Sequence, residues 1–135
     1  MGFVNMDLGD SVREGELVPN GEYDLVIVKA EDKPSKKGNP MTRIVIRIED
    51  APVPNAAPIM YYMNHLHPEL PSDQRQMRAL EIKRFLTMFG VPYGGDGFET
   101  EDLVGSRAKG LVEQEEGEDG IMRHRLILPR LDQRR

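Results

Sequence analysis

The chain has 135 residues, with 23 acidic and 18 basic side chains, for a formal net charge of −5. This length is typical of one domain, and the absence of cysteine excludes disulfide frameworks, thiolate metal sites and cysteine nucleophiles. The first residues lack the pattern of a signal peptide, and no apolar run is long enough to span a membrane. We therefore expect a cytoplasmic protein with no membrane partner.

The first third of the chain predicts an arm followed by a strand. Residues 1–20 are acidic, lack a sustained hydrophobic period and end in a turn, which predicts an arm that is poorly ordered or packs at a sheet edge. Residues 21–32 are rich in Val, Ile and Tyr, which predicts a first strand with Tyr23, Leu25 and Ile27 on one face. A turn rich in lysine, proline and glycine follows this strand.

Residues 41–49 alternate most regularly and predict a second strand. The apolar face of this strand comprises Thr42, Ile44, Ile46 and Ile48, whereas Arg43, Val45 and Arg47 point the other way. After a proline-rich loop, residues 58–64 predict a shorter third strand.

Apolar residues then recur at helical spacing. Ala79, Ile82, Leu86 and Phe89 predict a helix that starts near Ser72, which is a plausible N-cap. Gly90 is a natural residue to end this helix, and the proline two positions later prevents its continuation.

Two more strands complete the pattern, at residues 106–114 and 121–128, joined by an acidic turn at residues 115–120. Five strands with one α-helix between strands 3 and 4 predict a mainly β fold, a five-stranded OB-fold barrel. The alternatives are a β-grasp fold or a Greek-key sandwich. We assign residues 21–131 to the OB-fold domain and residues 132–135 to a short basic tail.

The charge is unevenly distributed along the chain. Acidic residues dominate the arm, the loop at residues 90–105 and the turn at residues 115–120, whereas the helix and the residues from 121 onward are basic. An OB-fold binds ligands on strands 2 and 3, between the loops that join strands 1–2 and 4–5. The sequence therefore predicts a narrow basic stripe on an otherwise acidic surface.

Cations beside an exposed aromatic ring are what sequence-tolerant binding of single-stranded nucleic acid requires. By alternation, either Tyr61 or Tyr62 must point outward to stack on a base. The predicted phosphate-contacting residues are Lys33, Lys36, Lys37, Arg43, Arg47, Arg107, Lys109, Arg123 and Arg125. The acidic turn at residues 115–120 argues against this prediction, because its carboxylates would repel phosphate.

One cluster resembles a metal site. His65 and His67 share a face if they lie on a strand, with Glu69 and His124 as further candidate ligands, although a surface loop explains the same residues. Phosphate-binding loop and nucleophile-elbow motifs are absent. We expect no cofactor, no bound metal and no catalytic residue.

Several short segments resemble bacteriophage single-stranded DNA-binding proteins. They are the start of strand 1 at Gly21, the turn at residues 35–40, the helix end at residues 85–90, residues 102–109 and the ending at residues 127–129. The resemblance implies an OB-fold that coats single-stranded DNA in phage replication or recombination, in the host cytoplasm. The acidic C-terminal tail of many such proteins has no counterpart in the basic ending of this sequence.

The leading hypothesis is thus a non-catalytic, sequence-tolerant single-stranded DNA-binding protein, with replication or recombination proteins as further partners. Whether it forms a homodimer is left open. One alternative is an OB-like protein-interaction adaptor of a replication complex that uses its acidic arm and loops. The other alternative is a metal-dependent nuclease that uses His65 and His67.

Overall fold

The computed structural model of the chain describes residue 2 and residues 15–35, 37–67, 69–95 and 97–129. The predicted mainly β architecture with five strands and a helix after the third is confirmed. The predicted arm is described only at residues 2 and 15–20, and residues 130–131 and the predicted tail at 132–135 lie outside the described residues. The elements are β1 (Gly21–Pro34), β2 (Pro40–Ile48), β3 (Ile59–Asn64), α1 (Ser72–Met88), a short 3₁₀ turn (Thr100–Asp102), β4 (Arg107–Glu116) and β5 (Met122–Ile127).

The five strands form one antiparallel sheet in the order β3-β2-β1-β4-β5. The longest strand, β1, lies in the centre and pairs with β2 along one part of its length and with β4 along another. The sheet is open, so the predicted closed barrel is not what the hydrogen-bonded ladders form. The two edge strands nevertheless lie close together, with Cα atoms of β3 within 8 Å of Cα atoms of β5.

One face of this sheet is buried by the second half of α1. The inward residues of β2 are buried as predicted, with Ile44 and Ile46 fully inaccessible. They pack in one cluster with Phe85 and Leu86 of α1. The ring of Phe85 stacks on Tyr61 with 4.6 Å between centroids. A single helix covers only this side, and most side chains on the opposite side of the sheet are exposed or half-buried.

A β-bulge in β1 changes which residues face the core. The register with β2 shifts between Ile27 and Lys29, which leaves Val28 as the extra residue, 42% exposed. The alternation predicted for Tyr23, Leu25 and Ile27 holds before the bulge. Beyond it the alternation is shifted by one residue, so that Ala30 pairs with the buried Ile44. A single extra residue cannot be recognised from a period-two pattern, so the bulge was not predicted from the sequence.

The two ends of α1 differ in how well the sequence predicted them. Gly90 adopts φ +67°, and its N–H donates to Thr87 O while Val91 N–H donates to Leu86 O, which is a Schellman ending. Ser72 is already the first helical residue rather than the N-cap, and no side chain caps the helix start.

No helix of the described residues is long and apolar enough to cross a membrane.

The segment at residues 15–20 fastens the loop before β3 to strands β4 and β5. Glu16 pairs with Ala56 in a parallel bridge, and Val18 is fully buried. Val18 N–H donates to His124 Nε2 at 2.9 Å, and His124 Nδ1 lies 2.9 Å from Ala57 O. Since Nε2 accepts, Nδ1 carries the proton and donates it, and the ring is neutral. Burial lowers the pKa of His124 below its ordinary value of 6.5.

This arrangement predicts a loss of stability in mild acid. In the unfolded chain, His124 binds a proton more readily than in the folded protein, where it is buried. The contribution of His124 to the free energy of unfolding is therefore complete above about pH 6.5 and is lost progressively below it. We expect His124→Phe to lower the free energy of unfolding by about 1–3 kcal/mol at pH 8, because Val18 N–H and Ala57 C=O lose their partner. Urea denaturation between pH 5 and pH 8 would also show a flatter pH dependence for this variant.

Candidate nucleic-acid interface

The strand cations predicted from the sequence lie on one face of the sheet. Ile44 and Ile46 of β2 are buried, so Arg43 and Arg47 point to the opposite side. Residues paired across an antiparallel ladder share a face, and the four ladders extend this assignment to every strand. We call this side the outer face. The predicted residues on it are Lys33, Arg43, Arg47, Tyr62, Arg107, Lys109, Arg123 and Arg125.

The two neighbouring tyrosines of β3 have different environments. Tyr61 faces the core side, where its ring stacks on Phe85 and its hydroxyl donates to Glu81 Oε1 at 3.0 Å. Burial raises the pKa of Tyr61 well above its usual range. Tyr62 pairs with Arg43 on the outer face and is 50% exposed. Tyr62 is therefore the ring that can stack on a base.

The outer-face cations are interleaved with carboxylates. Arg43 lies 3.4 Å from Glu31, its direct partner across the ladder, and Lys109 lies 3.7 Å from Asp24, its own ladder partner. Arg125 is similarly 3.5 Å from Glu115. The predicted basic stripe is therefore corrected: the cations gather on one face, but most are already paired.

One carboxylate, on Glu49, serves two guanidinium groups. It lies 3.8 Å from Arg47 Nη2 and also contacts Arg107. The two arginines occupy one row of the sheet, because each is paired with Val26 from opposite sides of β1. Exposed ion pairs of this kind contribute about 0–1 kcal/mol. A phosphate can therefore replace the carboxylate with little loss of stability.

A cleft opens where the outer face meets the two long hairpin loops. Its volume is about 1030 Å³, and it lies between the β1–β2 and β4–β5 connections, with Tyr62 on one wall. Lys33 lines the cleft and has no carboxylate oxygen within 4.0 Å among the described residues. Lys37 lies in the same β1–β2 loop and is exposed, whereas Lys36 lies outside the described residues.

The acidic β4–β5 turn is partly neutralised by an arginine of β5. Arg123 forms two hydrogen bonds to Asp119, with Nη1–Oδ1 at 3.0 Å and Nη2–Oδ2 at 2.6 Å. These bonds lower the pKa of Asp119 to about 2, so its carboxylate stays ionised and matched. From the sequence, both residues were expected only as separate charges. Their separation by four residues across a short turn was the pattern that could have identified the pair. Glu118 still faces the cleft.

Two histidines of the metal hypothesis, His65 and His124, make other contacts. Thr42 Oγ1 donates to Asp32 Oδ1 at 2.6 Å, so the proton between Thr42 Oγ1 and His65 Nε2, also 2.6 Å apart, comes from His65. Hydrogen bonding to Thr42 lowers the pKa of Asp32 below its ordinary value of 3.8. Within the described ranges, no group of three or more histidine, aspartate or glutamate side chains could hold a metal ion. His124, as described above, is held between two main-chain groups.

No protein-family model matches the chain, and no curated protein matches it significantly. The functional assignment therefore depends on the chemistry of the outer face and its cleft.

The contrast between the two tyrosines gives a stability prediction. We expect Tyr61→Ala to lower the free energy of unfolding by about 3–5 kcal/mol, because it removes a partly buried ring that packs against the core and stacks on Phe85. Tyr62→Ala should change it by about 0.5 kcal/mol, as for other exposed positions. Urea denaturation of the two variants measures this difference, and equal losses would contradict the assignment of faces.

Proposed function

We propose that this protein is a non-catalytic, sequence-tolerant single-stranded DNA-binding protein with an OB-fold, acting in phage DNA replication or recombination. The observation that carries the proposal is the position of Tyr62 and Lys33 in one cleft. An exposed ring and a cation that has no carboxylate partner among the described residues both line this cleft, between the two hairpin loops. This is the combination that stacks a base and neutralises the adjoining phosphate.

The OB-fold part of the proposal is supported by the strand order. In this sheet β1 pairs with both β2 and β4, the helix follows β3, and β5 comes close to β3. An OB-fold is a five-stranded, partly open barrel that binds oligonucleotides on strands 2 and 3, between the strand 1–2 and strand 4–5 loops. The cleft at Tyr62 has the same relation to its own strands and loops.

The outer-face ion pairs suggest how a strand is bound. A phosphate that reaches Arg43 must take the place of Glu31, and one that reaches Arg47 or Arg107 must take the place of Glu49. Each such replacement gains an ion pair with phosphate, but it leaves the displaced carboxylate nearby without its cation. Binding should therefore be moderate in affinity and selective for strands that present unstacked bases to Tyr62. Duplex DNA offers phosphates without accessible bases and should bind weakly.

The first test removes the stacking ring. We expect Tyr62→Ala to weaken binding of a labelled oligothymidylate by about 1–3 kcal/mol, roughly 5- to 150-fold in Kd. Tyr93→Ala is the matched control, because Tyr93 is a comparably exposed tyrosine (42%) that does not line the cleft. Fluorescence anisotropy at two salt concentrations measures both variants. If the two variants bind alike, or if the wild-type protein binds duplex as tightly as single strand, the proposal is wrong.

The second test releases paired cations. Glu49→Gln frees Arg47 and Arg107 for phosphate, so we expect tighter binding and a salt dependence steeper by about 0.7 per added phosphate contact. Glu101→Gln makes the same charge change in the 3₁₀ turn and serves as the control. Salt titrations of the oligothymidylate affinity measure the slopes. If Glu49→Gln changes neither the affinity nor the slope relative to Glu101→Gln, these arginines do not contact the strand.

A further inference from the structure

A second groove adjoins the outer face between α1 and the edge strands β3 and β5. Its volume is about 880 Å³. Tyr62 and Arg123 line both this groove and the cleft at the hairpin loops, so the two are continuous. We call it the helix groove. No α1 residue was predicted from the sequence to take part in binding.

Two arginines of α1 face the helix groove without acidic partners. Among the described residues, neither Arg78 nor Arg84 has a carboxylate oxygen within 4.0 Å. Arg78 donates one hydrogen bond to His65 O at 3.1 Å. Within the described part of the chain, Arg84 Nε is the one buried side-chain nitrogen or oxygen without a hydrogen-bond partner. The groove thus contains two guanidinium groups that have no carboxylate partner among the described residues.

The carboxylates that line the groove are already bound by other groups. Glu81 accepts the hydrogen bond of Tyr61, and Glu115 lies 3.5 Å from Arg125. The remaining lining includes Met77, which is 74% exposed, and Met60 of β3. Flexible apolar side chains next to unpaired guanidinium groups suit a ligand that alternates flat apolar faces with anions.

We propose that the helix groove is a second subsite for the same single strand, which leaves the cleft at Tyr62 and passes along α1 with its phosphates on Arg78 and Arg84. This inference rests on the proposed function. Continuity through Tyr62 and Arg123 favours a continuing strand over a separate ligand, because one chain can follow both surfaces without a break. The subsite lengthens the bound segment beyond what the outer face alone accommodates.

The test compares a 6-nucleotide and a 16-nucleotide oligothymidylate, near the limits of about 4–16 nucleotides that one OB-fold covers. Gln74 lines the helix groove, whereas Gln76, two residues further along the same helix, is exposed and does not. We expect Gln74→Lys to tighten binding of the longer strand about 3-fold, with a salt slope steeper by about 0.7. Gln76→Lys should bind both lengths like the wild-type protein.

A loss of charge gives the reciprocal comparison. Arg78→Gln should weaken binding of the 16-nucleotide strand about 3- to 10-fold and leave the 6-nucleotide strand unchanged, with a slope shallower by about 0.7. Arg75→Gln is the control, since Arg75 is exposed on α1 but outside the groove. Circular dichroism melts establish that each variant is folded, and the lysine additions at exposed positions leave the core unaltered.

The outcomes separate the two proposals. Length-selective effects at Gln74 and Arg78, absent at Gln76 and Arg75, support the helix-groove subsite. If each variant matches its control while Tyr62→Ala weakens binding of both lengths, the subsite is wrong and the proposed function stands. If the wild-type protein binds neither oligothymidylate, both are wrong.

Discussion

The structure depends on the burial of one side of the sheet under one half of one helix. Phe85 and Leu86 meet the inward isoleucines of β2, and the stack of Phe85 on Tyr61 brings β3 into the same contact. A chain of this size with a single helix cannot cover both sides of a five-stranded sheet. The opposite side is therefore necessarily solvated, and its alternating residues must be polar or mixed. The location of the candidate interface follows from this one-sided core.

Strand register then determines the electrostatics of that exposed side. Arg43 is opposite Glu31 and Lys109 is opposite Asp24, so each cation meets a carboxylate directly across a ladder. A shift of two residues would keep every side chain on its face and yet separate these partners. The result is a surface close to neutral, on which a phosphate must replace a carboxylate as the partner of a cation. A negative formal charge of −5 is compatible with phosphate binding on such a surface.

The open edges of the sheet account for two further features, the contacts of His124 and the helix groove. The segment at residues 15–20 connects the loop before β3 to β5 through His124, at the place where a closed barrel would continue its ladder. Further along the same edges, α1 extends past the core and forms the helix groove, in which Arg78 and Arg84 face β5 without acidic partners among the described residues. Because the sheet does not close, the region between its edge strands contains both the buried His124 and the basic helix groove.

The sequence determined what depends on neighbours along the chain. The period of two sets the alternation of β2 and places the arginines on one side of their strands. Local geometry sets the helix end at Gly90. The bulge at Val28 was not visible, because one inserted residue leaves the composition of a strand unchanged.

Only the tertiary structure decided what depends on residues far apart in sequence. It distinguished Tyr61 from Tyr62 by the presence of Phe85 and matched most outer-face cations with carboxylates. Among the described residues, it left Arg78 and Arg84 of α1 without a carboxylate partner. The physical reason is that charge and exposure belong to surfaces, and a surface is assembled by strand register and helix packing. Neither can be deduced from the order of charges along one chain.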